Sequence, residues 1–208
     1  MKSNRPIVVL VAACLAVLAW SAVKPYAYDV WVFEIAAGVL GVGVLAAVWR
    51  RFPFSTLVCV LVGVHFAILA VAAKYTYAEM PLFTWLKDAL SLSRNHYDRV
   101  GHFAQGFVPA IIAREVLLRT TQLERGKMLA LLCTSLCLAL SAFWELLEWG
   151  VVVVFYPDSG AEWLGLQGDI WDPHWDMLMA LTGAILALAL LSRLHDRSMA
   201  ALQARSRS

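Results

Sequence analysis

The stretch NHYDRVGHFAQGFVPAIIARE, residues 95–115, is the most informative part of this chain. It has the pattern of one helix whose first two turns are polar and whose remainder is apolar. One face of that helix carries a carboxylate, an imidazole, an amide and a predicted kink, at i, i+4, i+7 and i+11: Asp98, His102, Gln105 and Pro109. The flanking sequence is too apolar for a soluble domain. The stretch therefore predicts a polar stripe inside a membrane, where such groups are costly.

The whole chain has the composition of a membrane protein. Of its 208 residues, 61% are hydrophobic and 15% are charged, with a mean hydropathy of +0.70. Soluble domains average about 45–50% apolar and about 25% charged residues, and a membrane-spanning helix needs about 20 mostly apolar residues. The sequence predicts an all-α, polytopic membrane helical bundle in a single transmembrane domain, with six spans at about 6–23, 28–49, 54–74, 97–118, 128–155 and 173–192.

The positions of the basic residues predict the orientation of the bundle. With the N-terminus in the cytoplasm, only five of the 17 Lys and Arg residues fall on the outer side: Lys24, Lys74, Lys87, Arg94 and Arg99. Both termini are therefore expected in the cytoplasm. The net charge of +2 reflects this topology and does not indicate nucleic-acid binding. The first span has bulky Trp20 and Lys24 where a signal peptide would have small residues, so we expect it to be uncleaved.

The segment at 80–93 is too short and too mixed to span a membrane. An apolar face with Lys87 and Asp88 opposite predicts a helix that lies in the outer membrane surface, anchored by Phe83 and Trp85. Such a helix could cover the polar stripe or serve only as a linker.

Three predicted spans bring polar residues to the same depth in the outer half of the bundle. These are Asp98, His102 and Gln105 in span four, Ser141, Glu145 and Glu148 in span five, and Asp172 and Asp176 in span six. Short loops make consecutive spans antiparallel neighbours, so we expect spans four to six to be in contact. Buried carboxylates must then face one another, a cation or a water-filled cleft. Glu34 in span two either joins them or reaches water at the interface.

A divalent metal would neutralise this cluster, and its side chains suit Zn, Mn or Fe. The predicted ligands are His102, Glu145, Glu148 and Asp176, with Asp98 or Asp169 as the general base. Further polar residues of the predicted site are Gln105, Arg99, Asp172 and His174, and His96 is an additional candidate ligand. Alternatively, two of the carboxylates share a proton, because like charges this close raise each other's pKa.

Several of these residues also have ordinary structural explanations. Asp172 precedes Pro173 and has the pattern of a helix N-cap, and Asn95 with Asp98 has the spacing of a capping box. Asp169 could simply close a turn. The remaining polar residues could be hydrogen-bonded contacts between helices. For Arg114 and Glu115 we expect a local ion pair that anchors the inner end of span four.

The chain resembles the YjdF family of bacterial inner-membrane proteins in three segments. They are NHYDRVGHFAQGFVPAIIARE (95–115), FWELLEWG (143–150) and LQGDIWDPHWDMLMALTGA (166–184), whereas the first three spans are similar only in hydropathy. Shorter motifs in spans four and six more distantly resemble VanZ-like membrane proteins, some of which are linked to glycopeptide-antibiotic tolerance. The resemblance implies a multi-pass inner-membrane location. It supplies no reaction, so it indicates which residues matter without assigning their roles.

Three hypotheses about function follow. The first is a metal-assisted enzyme that acts at the outer membrane surface on a lipid or cell-envelope substrate. The second is a protein that binds or transports a cation, protons or a cationic headgroup without catalysis. The third is a structural or partner-binding bundle whose polar residues only fix the helix register. Membrane lipids are the expected partners in each case.

Overall fold

A computed structural model of the protein describes residues 4–155 and 166–207, and all regular structure in these ranges is helical. The α-helices are α1 (Arg5–Ser21), α2 (Tyr28–Val48), α3 (Thr56–Tyr75), α4 (Pro81–Ala89), α5 (Tyr97–Thr120), α6 (Lys127–Phe155) and α7 (Asp172–Arg207). A 3-10 turn at Leu166–Gly168 precedes α7. The predicted all-α membrane bundle is thus confirmed.

Each of the six predicted spans corresponds to one α-helix. Four helices, α2, α3, α6 and α7, are long and apolar enough to cross a membrane. Helix α1 is apolar but has 17 residues, and α5 is less apolar because it carries the polar stripe. The number of six crossings therefore stays a prediction.

Helix α5 lies at the centre of the bundle and contacts α3, α6 and α7, while α1 and α2 pack on α3. This confirms the expected contact between the fourth, fifth and sixth predicted spans. The closest approach is between α5 and α7. A Cβ atom added to Gly106 would lie 1.7 Å from the backbone oxygen of Ala180, and one added to Gly183 would lie 2.2 Å from that of Phe103. Only glycine allows this contact between backbones.

The segment at 80–93 forms the short helix α4, and its hydrogen bonds tie it to the start of α5. The Asn95 side-chain amide donates to the Met80 backbone oxygen at 3.1 Å and to the Thr84 hydroxyl at 3.1 Å. Phe83 packs edge-on against Tyr97, with ring centres 5.4 Å apart, whereas Trp85 is exposed. Of the two expected anchors, Trp85 alone is free to enter a lipid surface.

Helix α7 continues well beyond the predicted span at 173–192. His195 and Met199 are buried, and the Ser198 hydroxyl accepts a hydrogen bond from the Leu57 backbone N–H at 3.1 Å. These contacts with α3 and α5 keep the segment helical although it is more polar. The C-terminal part of α7 thereby belongs to the folded core.

Candidate functional site

The centre of the candidate site is formed by Asp98 and His102, one turn apart on α5, and by Asp176 in the first turns of α7. All three are buried, and one ligand atom from each lies within 4.8 Å of the other two. His102 Nε2 is 3.4 Å from Asp98 Oδ1 and 3.7 Å from Asp176 Oδ2. We call these three residues the outer triad.

The orientation of His102 is set by Gln105, one turn further along α5. The Gln105 amide oxygen lies 2.8 Å from His102 Nδ1. An amide oxygen can only accept a hydrogen bond, so Nδ1 carries the proton. The other ring nitrogen, Nε2, faces oxygens of two carboxylates and has either a proton or a cation between itself and them. Metal-binding histidines have this arrangement, in which the nitrogen away from the metal donates to an oxygen.

Arg94 and Arg99 offset part of the negative charge of the site. Both guanidinium groups contact the Asp172 Oδ1 atom at 2.7 Å and reach Asp169 at 3.2 Å and 3.4 Å, respectively. Arg99 also bonds to Asp98 at 3.2 Å and to Asp176. The two arginines thereby join the start of α5 to the start of α7.

Three glutamates complete the acidic surroundings of the triad. Glu145 Oε1 is buried 3.8 Å from His102 Nδ1 and has no hydrogen-bond partner among the described residues. Glu148 Oε1 accepts a 2.7 Å hydrogen bond from the Trp144 indole. Altogether two arginines face seven carboxylates, which are Glu34, Asp98, Glu145, Glu148, Asp169, Asp172 and Asp176.

A cavity of about 250 Å³ opens beside the triad. All three triad residues line it together with Glu34 on α2 and Glu148 on α6. A smaller cavity of about 60 Å³ continues past Glu34 and His102 toward His65. Glu34, which the sequence left between a cluster residue and an interfacial residue, thus lies in the cavity wall.

Two of the expected helix caps are wrong. The backbone N–H of Asn95 bonds to the Gln167 side chain at 2.8 Å, so Asn95 and Asp98 form no capping box. Asp172 is the first residue of α7, where its carboxylate binds both arginines. Asp98 and Asp172 form ion pairs with the two arginines and do not cap their own helices. Asp169 does close a turn, since its Oδ1 accepts the Trp171 N–H at 2.9 Å.

The two additional histidines do not join the triad. His174 is exposed, with its ring against Trp171 at 5.3 Å. His96 immediately precedes α5, outside the spanning segment. Partial burial and the guanidinium groups of Arg94 and Arg99 lower the pKa of His96. A lower pKa favours the neutral imidazole beside the arginine pair.

A second buried polar cluster at the opposite end of α5 was not predicted. Glu115 and His195 have no exposed surface, and Glu115 Oε2 lies 3.0 Å from His195 Nε2. Arg114 donates to His195 Nδ1 at 3.0 Å, and Arg119 donates to Glu115 at 2.6 Å. We call these four residues the inner cluster. It replaces the expected local ion pair of Arg114 and Glu115 with a network between α5 and α7.

Comparison with known proteins shows the family of this chain. A family described as "Predicted membrane protein (DUF2238)" matches residues 6–197. The chain belongs to this family. It is 39% identical over 184 residues to "Inner membrane protein YjdF" of Escherichia coli (strain K12), a match that covers 88% of this chain and 87% of that protein. The family thus includes the first three spans, which the sequence motifs had left out. No solved structure matches the chain.

The comparisons confirm the resemblance to YjdF and the assignment to membrane proteins. The E. coli relative is named as an inner-membrane protein, in agreement with the expected compartment. The more distant likeness to VanZ-like proteins stays an expectation.

Proposed function

We propose that this membrane protein binds a divalent metal ion at the outer triad and acts as a metal-assisted enzyme on a lipid or cell-envelope substrate. The observation that carries the proposal is the convergence of His102 Nε2 with oxygens of Asp98 and Asp176, all buried. A proton on Nε2 satisfies this set in the metal-free protein, and a divalent cation takes the place of that proton in the proposed holoprotein. In the same proposal both termini lie in the cytoplasm, so that the site faces outward from the inner membrane.

The donor set fits a catalytic rather than a structural metal site. One imidazole nitrogen and two carboxylate oxygens suit Zn, Mn or Fe. Catalytic sites hold their metal with three protein ligands and leave a position open for water or substrate. Here the triad supplies three ligands, and the adjoining cavity of about 250 Å³ provides room at the open position.

In this arrangement the residues around the triad have separate roles. Gln105 holds His102 in the tautomer that can bind a metal. Arg99 bonds to Asp98 and Asp176 and limits the charge that the metal has to neutralise. When bound, the metal would lower the pKa of a coordinated water. Glu148, a predicted ligand that lines the cavity outside the triad, would serve as the proton acceptor in this arrangement.

Asp169 is a poorer general base than the sequence suggested. Both arginines contact Oδ2, and Oδ1 accepts the Trp171 N–H, so both oxygens are occupied. Asp98 belongs with the ligands, since its Oδ1 faces the His102 nitrogen. Glu145 approaches the imidazole from the Nδ1 side. The proposed ligand set is therefore Asp98, His102 and Asp176, with Glu145 next to it.

The test is the metal content of detergent-purified protein, measured by mass spectrometry before and after reconstitution with Zn, Mn and Fe. We expect near-stoichiometric metal in the wild type and its loss in His102→Ala and Asp176→Asn. His174→Ala is the matched control, because this exposed histidine lies outside the triad, and it should keep its metal. Absence of metal in the wild type after reconstitution would overturn the proposal.

A second candidate function is a cation- or proton-binding protein without catalysis. The buried Glu145 Oε1, which has no hydrogen-bond partner among the described residues, favours it. A proton or a cation bound at that position would give this oxygen the partner that it lacks. Metal-free protein that takes up protons in the wild type but not in Glu145→Gln, measured in proteoliposomes, would support this function over the first.

A further inference from the structure

Two adjoining cavities of opposite character lie at the end of the bundle away from the outer triad. The first, which we call the apolar groove, has about 570 Å³ between α6 and α7. The second, the polar pocket, has about 650 Å³ beside the C-terminal part of α7. Arg125 and Asp196 line both cavities and mark the boundary between them.

The shape of the apolar groove suits an acyl chain. Its walls are Leu129 and Leu131 on α6 and Ile185 and Leu188 on α7, and small residues such as Ala189 leave the space between them. From Ile185 to Asp196 the wall extends over about 16 Å, at about 1.5 Å per helical residue. This is close to half of the ~30 Å hydrocarbon thickness of a bilayer, the depth of one leaflet.

Two charged residues at the polar pocket, Arg125 and Glu124, are not fully balanced by other charges of the protein. Arg114 and Arg125 both contact the carboxylate of Asp196, at 2.9 Å and 3.2 Å, so two guanidinium groups share one acid. The Arg125 side chain is 63% exposed. Glu124, also exposed, lines the polar pocket and has no ion pair among the residues that the structure describes.

We propose that the apolar groove and the polar pocket together bind a glycerophospholipid with a phosphoethanolamine headgroup. One acyl chain occupies the groove, the phosphate binds Arg125, and the ammonium group binds Glu124. Guanidinium groups form strong, directional hydrogen bonds with phosphate oxygens. A primary ammonium donates three hydrogen bonds, whereas a choline group donates none and a glycerol headgroup has no positive charge.

The test compares three lipids that have identical short acyl chains and differ only in the headgroup. Delipidated, detergent-purified full-length protein is titrated with phosphatidylethanolamine, phosphatidylglycerol and phosphatidylcholine, and binding is followed by native mass spectrometry. We expect phosphatidylethanolamine to bind about tenfold more tightly than the other two, a difference equivalent to one good charged contact.

Substitutions of exposed residues test which part of the lipid each side chain contacts. Arg125→Gln should weaken phosphatidylethanolamine binding about tenfold, and Glu124→Gln should remove the preference for it over phosphatidylglycerol. Ala189→Phe should fill the groove and weaken all three lipids. Arg193→Gln is the control, because Arg193 is an exposed arginine of α7 that lines neither cavity.

The thermal midpoint of each variant, followed by circular dichroism, shows whether it is folded. If Ala189→Phe fails to fold, the two variants of exposed charged residues still decide the question. Equal binding of the three lipids by the wild type would overturn the proposal, and so would an unchanged headgroup preference in Glu124→Gln. The outcome is independent of the metal measurement, because none of these residues contacts the outer triad.

Discussion

The two ends of the α5–α7 pair each bury a histidine among carboxylates and arginines, but the two histidines have different surroundings. At the inner end, Arg114 donates to His195 Nδ1, and His195 Nε2 therefore donates to Glu115. Each ring nitrogen of His195 thus has a suitable partner, a donor at Nδ1 and an acceptor at Nε2. At the outer end, His102 Nδ1 donates to Gln105, and Nε2 faces two carboxylates, Asp98 and Asp176, at longer distances of 3.4 Å and 3.7 Å.

The difference indicates which of the two clusters is structural. In the inner cluster, Glu115 accepts hydrogen bonds from Arg119, from His195 and from the backbone N–H of Ser55 at 2.9 Å. Its charge is satisfied without any added group. In the outer cluster two arginines are too few for the surrounding carboxylates. A closed network fixes two helices, whereas an unbalanced one beside a cavity is suited to a ligand.

The largest effect is expected from Glu115→Ala in the inner cluster. The substitution leaves Arg119 and His195 without their acceptor in a site that has no exposed surface, and breaking a buried pair in this way costs about 3–5 kcal/mol. We expect a large drop in the thermal midpoint, or no folded protein, by circular dichroism in detergent. Glu124→Ala is the control at an exposed position of the same end, and its midpoint should stay near that of the wild type. A midpoint unchanged by Glu115→Ala would contradict the structural role of this cluster.

A smaller effect is expected from Gly106→Ala, which tests the backbone contact between α5 and α7. The new methyl group would overlap the Ala180 backbone, and overpacking of this kind costs about 1–3 kcal/mol or more. Gly41→Ala is the matched control, because nothing lies within 4 Å of a Cβ at that position of α2. We expect the thermal midpoint to fall for Gly106→Ala and to be kept or raised for Gly41→Ala. Equal midpoints in the two variants would show that α5 and α7 are further apart than described.

The smallest effect on stability is expected from Glu145→Gln and Glu148→Gln in the outer cluster. Each removes one negative charge from a site that has an excess of them, so the free energy of unfolding should change by less than about 1 kcal/mol or increase. The change in stability is measured as the shift in the thermal midpoint of metal-free protein. A loss as large as that of Glu115→Ala would favour the hypothesis of a purely structural bundle.

Helical periodicity predicted the polar stripe on α5 and its depth in the bundle. Asp98 and His102 lie one turn apart on any α-helix. Consecutive spans alternate in direction, so α5 and α7 begin on the same side of the membrane, and Asp176 was expected nearby. Sequence could not distinguish a ligand from a general base, because this depends on side-chain rotamers. Only the structure shows Asp98 beside His102 Nε2 and Glu145 on the other side of the ring.

The inner cluster was missed for a different physical reason. Hydropathy falls after Leu194, so the last predicted span ended at about residue 192. Burial of His195 depends on Glu115, which lies 80 residues earlier in the chain, and no local pattern reveals such a partner. One signal was present: His195 and Met199 are one helical turn apart and share a face, which was a sign that the helix continues.

The contact at Gly106 and Gly183 has a mechanical consequence. Two helices whose backbones touch cannot slide or rotate past each other without a steric clash, so α5 and α7 move as one rigid body. Asp176 and Asp196 are therefore held about 30 Å apart along α7, at ~1.5 Å per residue. Outside the α5–α7 pair, the wall of the outer cavity is supplied by α2 with Glu34, by α6 with Glu148, and by Thr76 and Tyr77 after α3. A wider outer cavity therefore requires these elements to shift relative to the α5–α7 pair.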